Sequence, residues 1–191
     1  MDNLTIIKIG TSSIVGQDGQ VRQELLEEIF SSISARQKGE RFIIVASGAV
    51  ALGRQDTKNS DLEKFIAAGI GQPILMQAFR DSAEKHNYKI AELLLSRPHL
   101  IKRREFLSLQ EKIEKLLSHP DYILIVNEND FLVNGTDWGF GDNDSLAGSL
   151  AVALSAQKLL IVSSINGLYE DGQIDDEGKL ISEVGDVNAE L

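Results

Sequence analysis

Residues 42–53 read FIIVASGAVALG: five apolar residues, a Ser-Gly pair, and then residues that favour a helix. The apolar run is rich in β-branched residues and nearly continuous, which is typical of a parallel strand that is covered on both faces. The following Ser47-Gly48 predicts a tight turn that opens onto a helix start. Four further runs follow the same pattern, at residues 5–9, 90–95, 122–126 and 158–163.

Helical patterns lie between the five predicted strands. Apolar residues recur every three or four positions in three segments, 21–33, 106–116 and 146–154. Gly69, Gly71 and Pro73 interrupt the segment 61–87, which predicts two helices there. Strands that alternate with helices predict one domain over residues 1–191, a three-layer α/β/α sandwich around a mainly parallel sheet.

The last part of the sequence behaves differently. It is rich in turn residues, and it predicts a short strand near Leu180 and Ile181. Asp186 and Asn188 then begin a helical pattern, and the sequence stops. We therefore expect a sandwich that is incomplete at its carboxyl end.

The bulk composition excludes several classes of protein. The net charge is −10, from 29 acidic and 19 basic side chains, which argues against nucleic-acid and anionic-membrane partners. Without cysteine, disulfides, thiolate metal sites and a cysteine nucleophile are excluded. The amino terminus lacks the basic start of a signal peptide, and no apolar run approaches the ~20 residues of a membrane helix. We expect a cytoplasmic protein.

Polar residues collect where ligands bind in such folds, beyond the carboxyl ends of the strands. Lys8 and Gly10 end the first strand, and Ser47-Gly48 ends the second. The sequence NEND (127–130) ends the fourth, and GDND (141–144) precedes the last helix. Each has a simpler interpretation: a lysine extending to solvent, a helix cap with a turn, a polar strand exit, and helix capping. Their shared placement favours ligand binding.

The type of chemistry follows partly by elimination. No P-loop or G-x-G-x-x-G pattern follows a strand, and Ser47 has no evident histidine partner. The three histidines show no metal-ligand spacing, so no metal site is assigned to side chains alone. A lysine beside a glycine turn suits phosphoryl transfer, since it neutralises charge on the moving group. Backbone amides at Gly48 and Ala49 can hold an oxyanion, and the acidic clusters can hold an ammonium group or organise Mg²⁺.

Six motifs together resemble the glutamate 5-kinases of the amino acid kinase superfamily. In order they are KIGTSS, VASGAVALG, AAGIGQ, VNENDF, GDNDSLAG and INGLY. NEND followed by GDND is the most specific part of the resemblance. The resemblance implies ATP-dependent phosphorylation of the L-glutamate γ-carboxylate, the first step of proline synthesis, with ATP and Mg²⁺ as cofactors. It also implies a homo-oligomer and raises proline as a candidate feedback inhibitor.

The resemblance implies roles for particular residues. Lys8 and Asp144 correspond to catalytic residues. Contacts with glutamate are implied for residues of the second strand end and of both acidic motifs: Ser47, Gly48, Ala49, Asp130, Asp142 and Asn143. Contacts with ATP are implied for Lys8, Gly10, Thr11, Ser163 and Ser164.

Two departures from the family pattern bear on function. Ser163 and Ser164 stand where family members usually carry Thr-Asp, so a hydroxyl is kept and a carboxylate is lost. The family's later glycine-rich segment and second catalytic lysine have no counterpart in this sequence. The alternative is therefore a catalytically silent module that binds glutamate or proline, or that pairs with an intact kinase. Trp138 is interpreted as either a loop anchor or a substrate contact.

Overall fold

A computed structural model of the chain describes residues 3–37, 39–133, 139–170 and 179–185. Its main sheet contains five strands: β1 (Leu4–Ile9), β2 (Arg41–Ala46), β3 (Lys89–Leu95), β4 (Tyr122–Glu128) and β5 (Lys158–Val162). The strands lie in the order β3-β4-β2-β1-β5, and all neighbours are parallel. The predicted parallel sheet is confirmed. Trp138 and the helix start expected at Asp186 lie outside the described residues.

Helices cover both faces of this sheet: α1 (Thr11–Ile14), α2 (Gln23–Ser34), α3 (Ala49–Asp56), α4 (Lys64–Lys85), α5 (Pro98–Ile101), α6 (Arg103–Leu117) and α7 (Asn143–Ala153). Strand side chains alternate between the two faces. Ile7 and Ile9 pack with Phe30 of α2 and Phe79 of α4. Their neighbours Leu4 and Ile6 belong to the opposite core, with side chains of α6 and α7. This is the predicted three-layer sandwich.

Coverage of the strands differs between the centre and the edges of the sheet. β1, β2 and β4 are buried over nearly their whole length, as their continuous apolar runs predict. β5 is an edge strand whose Leu159, Leu160 and Ile161 are 36%, 44% and 55% exposed. The expectation that all five strands are covered on both faces is therefore wrong for β5, and β3 at the other edge is only partly buried.

The segment predicted to form two helices contains one, α4, which runs for 22 residues through Pro73. The glycines that suggested a break serve close packing instead. A Cβ atom on Gly71 would lie 1.8 Å from the carbonyl oxygen of Ala49, and one on Gly53 would lie 1.9 Å from that of Ala67. Only glycine allows α3 and α4 to approach so closely.

A small antiparallel sheet pairs β6 (Leu168–Tyr169) with β7 (Leu180–Ile181). The strand predicted near Leu180 is thus confirmed. Within the part of the chain that the structure describes, no helix combines the length and the apolar character that crossing a bilayer requires.

Candidate functional site

The polar strand ends converge on one cleft. It has a volume of about 550 Å³ and lies at the carboxyl ends of β1, β2 and β4, beside the first turns of α3 and α7. This volume is in the range of small-molecule sites, roughly 300–1,000 Å³. The lining includes most residues selected from the sequence, namely Lys8, Thr11, Ser47, Gly48, Ala49, Asp130, Asp142, Asn143 and Asp144.

The N-terminus of α7 is capped by Asp142. Its Oδ1 accepts a hydrogen bond of 2.6 Å from the backbone amide of Ser145. Hydrogen bonds from Ser145 are the main reason that the pKa of Asp142 is lowered, with a smaller contribution from the charge of Lys8. The capping interpretation is therefore correct for this one residue of the GDND motif.

Asp144 has a different partner from Asp142. It forms an ion pair with Lys8, whose ammonium group is held at the cleft. Lys8 is only 9% exposed, and it belongs to the β1 face that α7 covers. The lysine is therefore fixed in place by a carboxylate and does not simply extend into solvent.

Asn143 connects α7 to the strand ends. Its Nδ2 lies 2.7 Å from the carbonyl oxygen of Ala46, 2.8 Å from Ser47 Oγ and 3.0 Å from Asn127 Oδ1. All three atoms can accept hydrogen bonds, so the amino group of the Asn143 amide is turned towards the protein. Asn143 lines the cleft, and among the described residues no hydrogen bond to its Oδ1 is found.

Asn127, at the end of β4, continues this network away from the cleft. It is 3% exposed, and its Nδ2 donates to Gln72 Oε1 of α4 at 2.9 Å. Gln72 Nε2 in turn donates to Glu92 Oε1 of β3 at 2.6 Å. A chain of three amides and one carboxylate therefore links α7 to the outer strand of the sheet.

Asp130 brings a largely buried carboxylate to the cleft. Its side chain is 11% exposed, and its Oδ1 lies 2.7 Å from the ammonium group of Lys64, at the start of α4. The hydrogen-bonded Asp130 raises the pKa of Lys64, with a smaller contribution from the charge of Glu128. Lys64 is itself 60% exposed, so this ion pair sits at the rim of the cleft.

The turn between β2 and α3 brings backbone amides to the cleft. Gly48 has φ +106°, and a Cβ atom there would lie 3.0 Å from side-chain atoms of both Ile14 and Val15. Glycine thus suits the positive φ, and any other residue there would also press its Cβ atom against Ile14 and Val15. The first amides of a helix have no intrahelical partner, so the start of α3 offers donors to a negatively charged group.

The residues selected for ATP are only partly brought together. Gly10 donates its amide to the carbonyl oxygen of Val162 at 3.0 Å, and a Cβ atom on Gly10 would lie 3.5 Å from Lys8 Nζ. Ser164 Oγ is 3.1 Å from Ser12 Oγ, and Ser163 Oγ accepts from the amide of Ile165 at 3.3 Å. Both serines are exposed beyond β5 and do not line the cleft that contains Thr11.

Sequence reasoning did not select several residues of the site. Asn127 and Glu128 lie in NEND, and their signal was two polar residues at the end of a buried strand. Gln72 does not line the cleft but hydrogen-bonds to Asn127; it lies in the motif AAGIGQ, whose glycines were interpreted only as helix breaks. Arg54 and Lys64 line the cleft but carry no local signal, because their positions depend on how α3 and α4 cross.

Known proteins resemble the chain in both sequence and fold. The model of the amino acid kinase family matches residues 3–191. Glutamate 5-kinase from Citrifermentans bemidjiense is 35% identical over 193 residues, which cover 97% of this chain and 51% of the relative. Glutamate 5-kinase from Methanosarcina barkeri is 33% identical over 204 residues, 99% of this chain and 53% of that protein.

A solved isopentenyl phosphate kinase shares the fold, with a TM-score of 0.65 at 15% identity over 96% of this chain and 81% of that one. The chain spans about half the length of the curated relatives that it matches. Because the family model matches nearly every residue, the chain belongs to the amino acid kinase family.

Proposed function

We propose that the chain binds L-glutamate in this cleft and serves the ATP-dependent phosphorylation of its γ-carboxylate, the step that opens proline synthesis. In this proposal residues 1–191 comprise the substrate-binding part of a kinase domain and the start of its nucleotide half. One observation carries the proposal: acidic, amide and basic groups from the ends of three strands and the starts of two helices meet in one cleft. The 35% identity to a glutamate 5-kinase supports the choice of amino acid.

The arrangement of charge suits an amino acid. Asp130 and the carbonyl oxygen of Asn143 provide acceptors for the substrate ammonium group. Ser47 and the amides of Gly48 and Ala49 provide donors for a carboxylate, and a helix N-terminus stabilises negative charge there. Glutamate carries both kinds of group, so a single ligand would satisfy both sides of the cleft.

Phosphoryl transfer depends mainly on positioning and charge neutralisation. When bound, ATP supplies the phosphoryl group, and an oxygen of the glutamate γ-carboxylate forms the new bond to phosphorus as ADP leaves. Lys8 would neutralise charge on the transferred group. Asp144 would hold the Lys8 ammonium in position through the ion pair that the two residues form.

The described residues fit the phosphate end of ATP by their chemistry. Lys8 supplies a cation, and Gly10 keeps the backbone beside it free of a side chain. Thr11 supplies a hydroxyl group within the cleft, and Ser163 and Ser164 would supply theirs from beyond β5, outside it. Within the described part of the chain, no three acidic or histidine side chains are grouped to hold a metal ion. Mg²⁺ would therefore be held by Asp144 together with phosphate oxygens, as is common for this ion.

Calorimetry tests the assignment of the amino acid. Titration of L-glutamate should give heat with the wild-type chain, and Asn143→Ala should weaken the affinity by roughly tenfold or more, because an acceptor and a buried hydrogen-bond network are lost. Asn59→Ala, on the exposed α3–α4 connection, is the matched control and should bind normally. Equal affinity for wild type and Asn143→Ala would overturn the assignment.

The exposed edge strand favours a second candidate, the silent module that binds glutamate or proline or pairs with an intact kinase. Leu159, Leu160 and Ile161 offer an apolar surface to another protein segment. An assay of glutamate-dependent ADP release separates the candidates, since only the kinase shows turnover. In a kinase, Lys8→Met should reduce turnover by about 10³-fold or more and leave the melting temperature nearly unchanged.

A further inference from the structure

We propose that Gln72 is a positioning residue for the amino-acid end of the cleft, and that the surface carboxylate Glu92 fixes its orientation. This inference rests on the proposed function, because it assumes that Asn143 and Asp130 receive the substrate ammonium group. Gln72 does not line the cleft. It acts through Asn127 and Asn143.

The order of donors and acceptors begins at Glu92. An ionised carboxylate can only accept hydrogen bonds, so the Gln72 amide must turn its Nε2 towards Glu92, at 2.6 Å. Gln72 Oε1 is then directed to the other side, where it accepts from Asn127 Nδ2 at 2.9 Å. The charge of Glu92 thus selects one of the two orientations of the Gln72 amide.

Asn127 transmits this orientation to the cleft. Its Oδ1 accepts both from the backbone amide of Glu128 at 2.8 Å and from Asn143 Nδ2 at 3.0 Å. With Gln72 in place, both ends of the buried Asn127 amide are satisfied. Without the acceptor on Gln72, the Nδ2 group of Asn127 would be buried and unpaired, which favours rotation of the side chain.

At the cleft, this orientation of Asn143 favours ligands that carry an ammonium group. Asn143 donates its amino group to protein acceptors, so its carbonyl oxygen remains available to a ligand in the cleft that the carboxylate of Asp130 also lines. Two acceptors together favour an ammonium group and offer nothing to a ligand that lacks one. Helix α4 supports both, because it carries Gln72 and also Lys64, which pairs with Asp130.

The first test removes the amide of Gln72. Gln72→Met keeps the length of the side chain, and we expect it to weaken L-glutamate binding by roughly tenfold. The preference for L-glutamate over glutarate, which lacks the amino group, should fall with it. Gln77→Met is the matched control, because Gln77 lies on the same helix and donates to Asp81 Oδ1 at 2.7 Å, away from the cleft. It should leave both affinities unchanged.

The second test uses pH and stays informative if Gln72→Met folds poorly. In Gln72→Glu the new carboxyl group faces Glu92, and this like charge raises its pKa. When protonated it can donate to Glu92 and accept from Asn127, as the amide does. Glutamate affinity of this variant should therefore be low at about pH 8 and recover towards wild type at about pH 5.5. Gln77→Glu, beside Asp81, should show no such recovery.

The outcomes separate this inference from the proposed function. If the wild-type chain gives no heat with L-glutamate, the proposed function fails and this inference fails with it. If the wild type binds, unchanged affinity in Gln72→Met overturns the inference alone. A Gln72→Glu variant whose affinity for L-glutamate stays constant with pH also overturns the inference.

Discussion

Three consecutive residues at the start of α7 have three separate tasks. Asp142 caps the helix, Asn143 binds the end of β2, and Asp144 pairs with Lys8. Successive side chains on a helix point about 100° apart, since a turn takes 3.6 residues. Neighbours in sequence therefore reach different partners. The dense polar motif GDND is explained by this geometry and not by capping alone.

The cap itself is testable through pH. Asp142→Ala removes the acceptor for the Ser145 amide and should lower the free energy of unfolding by about 1 kcal/mol. Because the pKa of Asp142 is lowered from 3.8 in the folded chain, the stability that its charge contributes is present above pH 3.8. It is lost as the pH falls through the folded-state value.

Urea unfolding of wild type, Asp142→Ala and Asp142→Asn between about pH 5 and pH 3 measures this loss. The gap between wild type and Asp142→Ala should shrink as the pH falls below 3.8. Asn also caps helices, so the gap between Asp142→Asn and Asp142→Ala should stay constant. A wild-type gap that does not change with pH would show that the charge of Asp142 contributes nothing.

At the scale of elements, the crossing of α3 over α4 determines where the cleft residues lie. α3 begins at the Gly48 turn, and α4 carries both Lys64 and Gln72. Backbone atoms of the two helices approach so closely at Gly53 and Gly71 that a methyl group has no room. The position of two cleft walls therefore depends on two glycines that do not line the cleft.

Gly71→Ala tests this dependence. The added Cβ atom would clash with the carbonyl oxygen of Ala49. This clash would force the helices apart and should lower the free energy of unfolding by about 1–3 kcal/mol. Thermal unfolding measures the cost. Gly148→Ala in α7 is the control, because no described atom lies within 4 Å of its new Cβ atom. It should be neutral or stabilising by about 0.5–1 kcal/mol. A small effect at Gly71 would contradict the packing account.

The same crossing shows how far sequence reasoning reaches. The strand ends were predictable, because apolar runs locate the strands and parallel strands bring their carboxyl ends to one edge. The length of α4 was not predictable, because glycine and proline in a helical pattern suggest a break unless a partner helix lies against them. Lys64 and Gln72 join the site only through that packing, which local sequence does not encode.

At the scale of the molecule, helices cover the centre of the sheet, whereas the β5 edge is exposed. β1, β2 and β4 lie between two helical layers, and the cleft opens at the ends of these three well-supported strands. β5 pairs with β1 on one side only, and no described strand pairs with its other side. The site and the exposed edge therefore belong to different parts of the same sheet.

We expect this edge to drive association between chains. An edge strand offers unpaired backbone groups. The edge strand β5 also carries the exposed side chains of Leu159, Leu160 and Ile161. Ile161→Lys places a charge on the strand and should shift a concentration-dependent sedimentation profile towards monomer. Val152→Lys, on the outside of α7 and 82% exposed, is the matched control and should leave the profile unchanged. A wild-type chain that stays monomeric at every concentration, or association that survives Ile161→Lys, would show that β5 is not the contact.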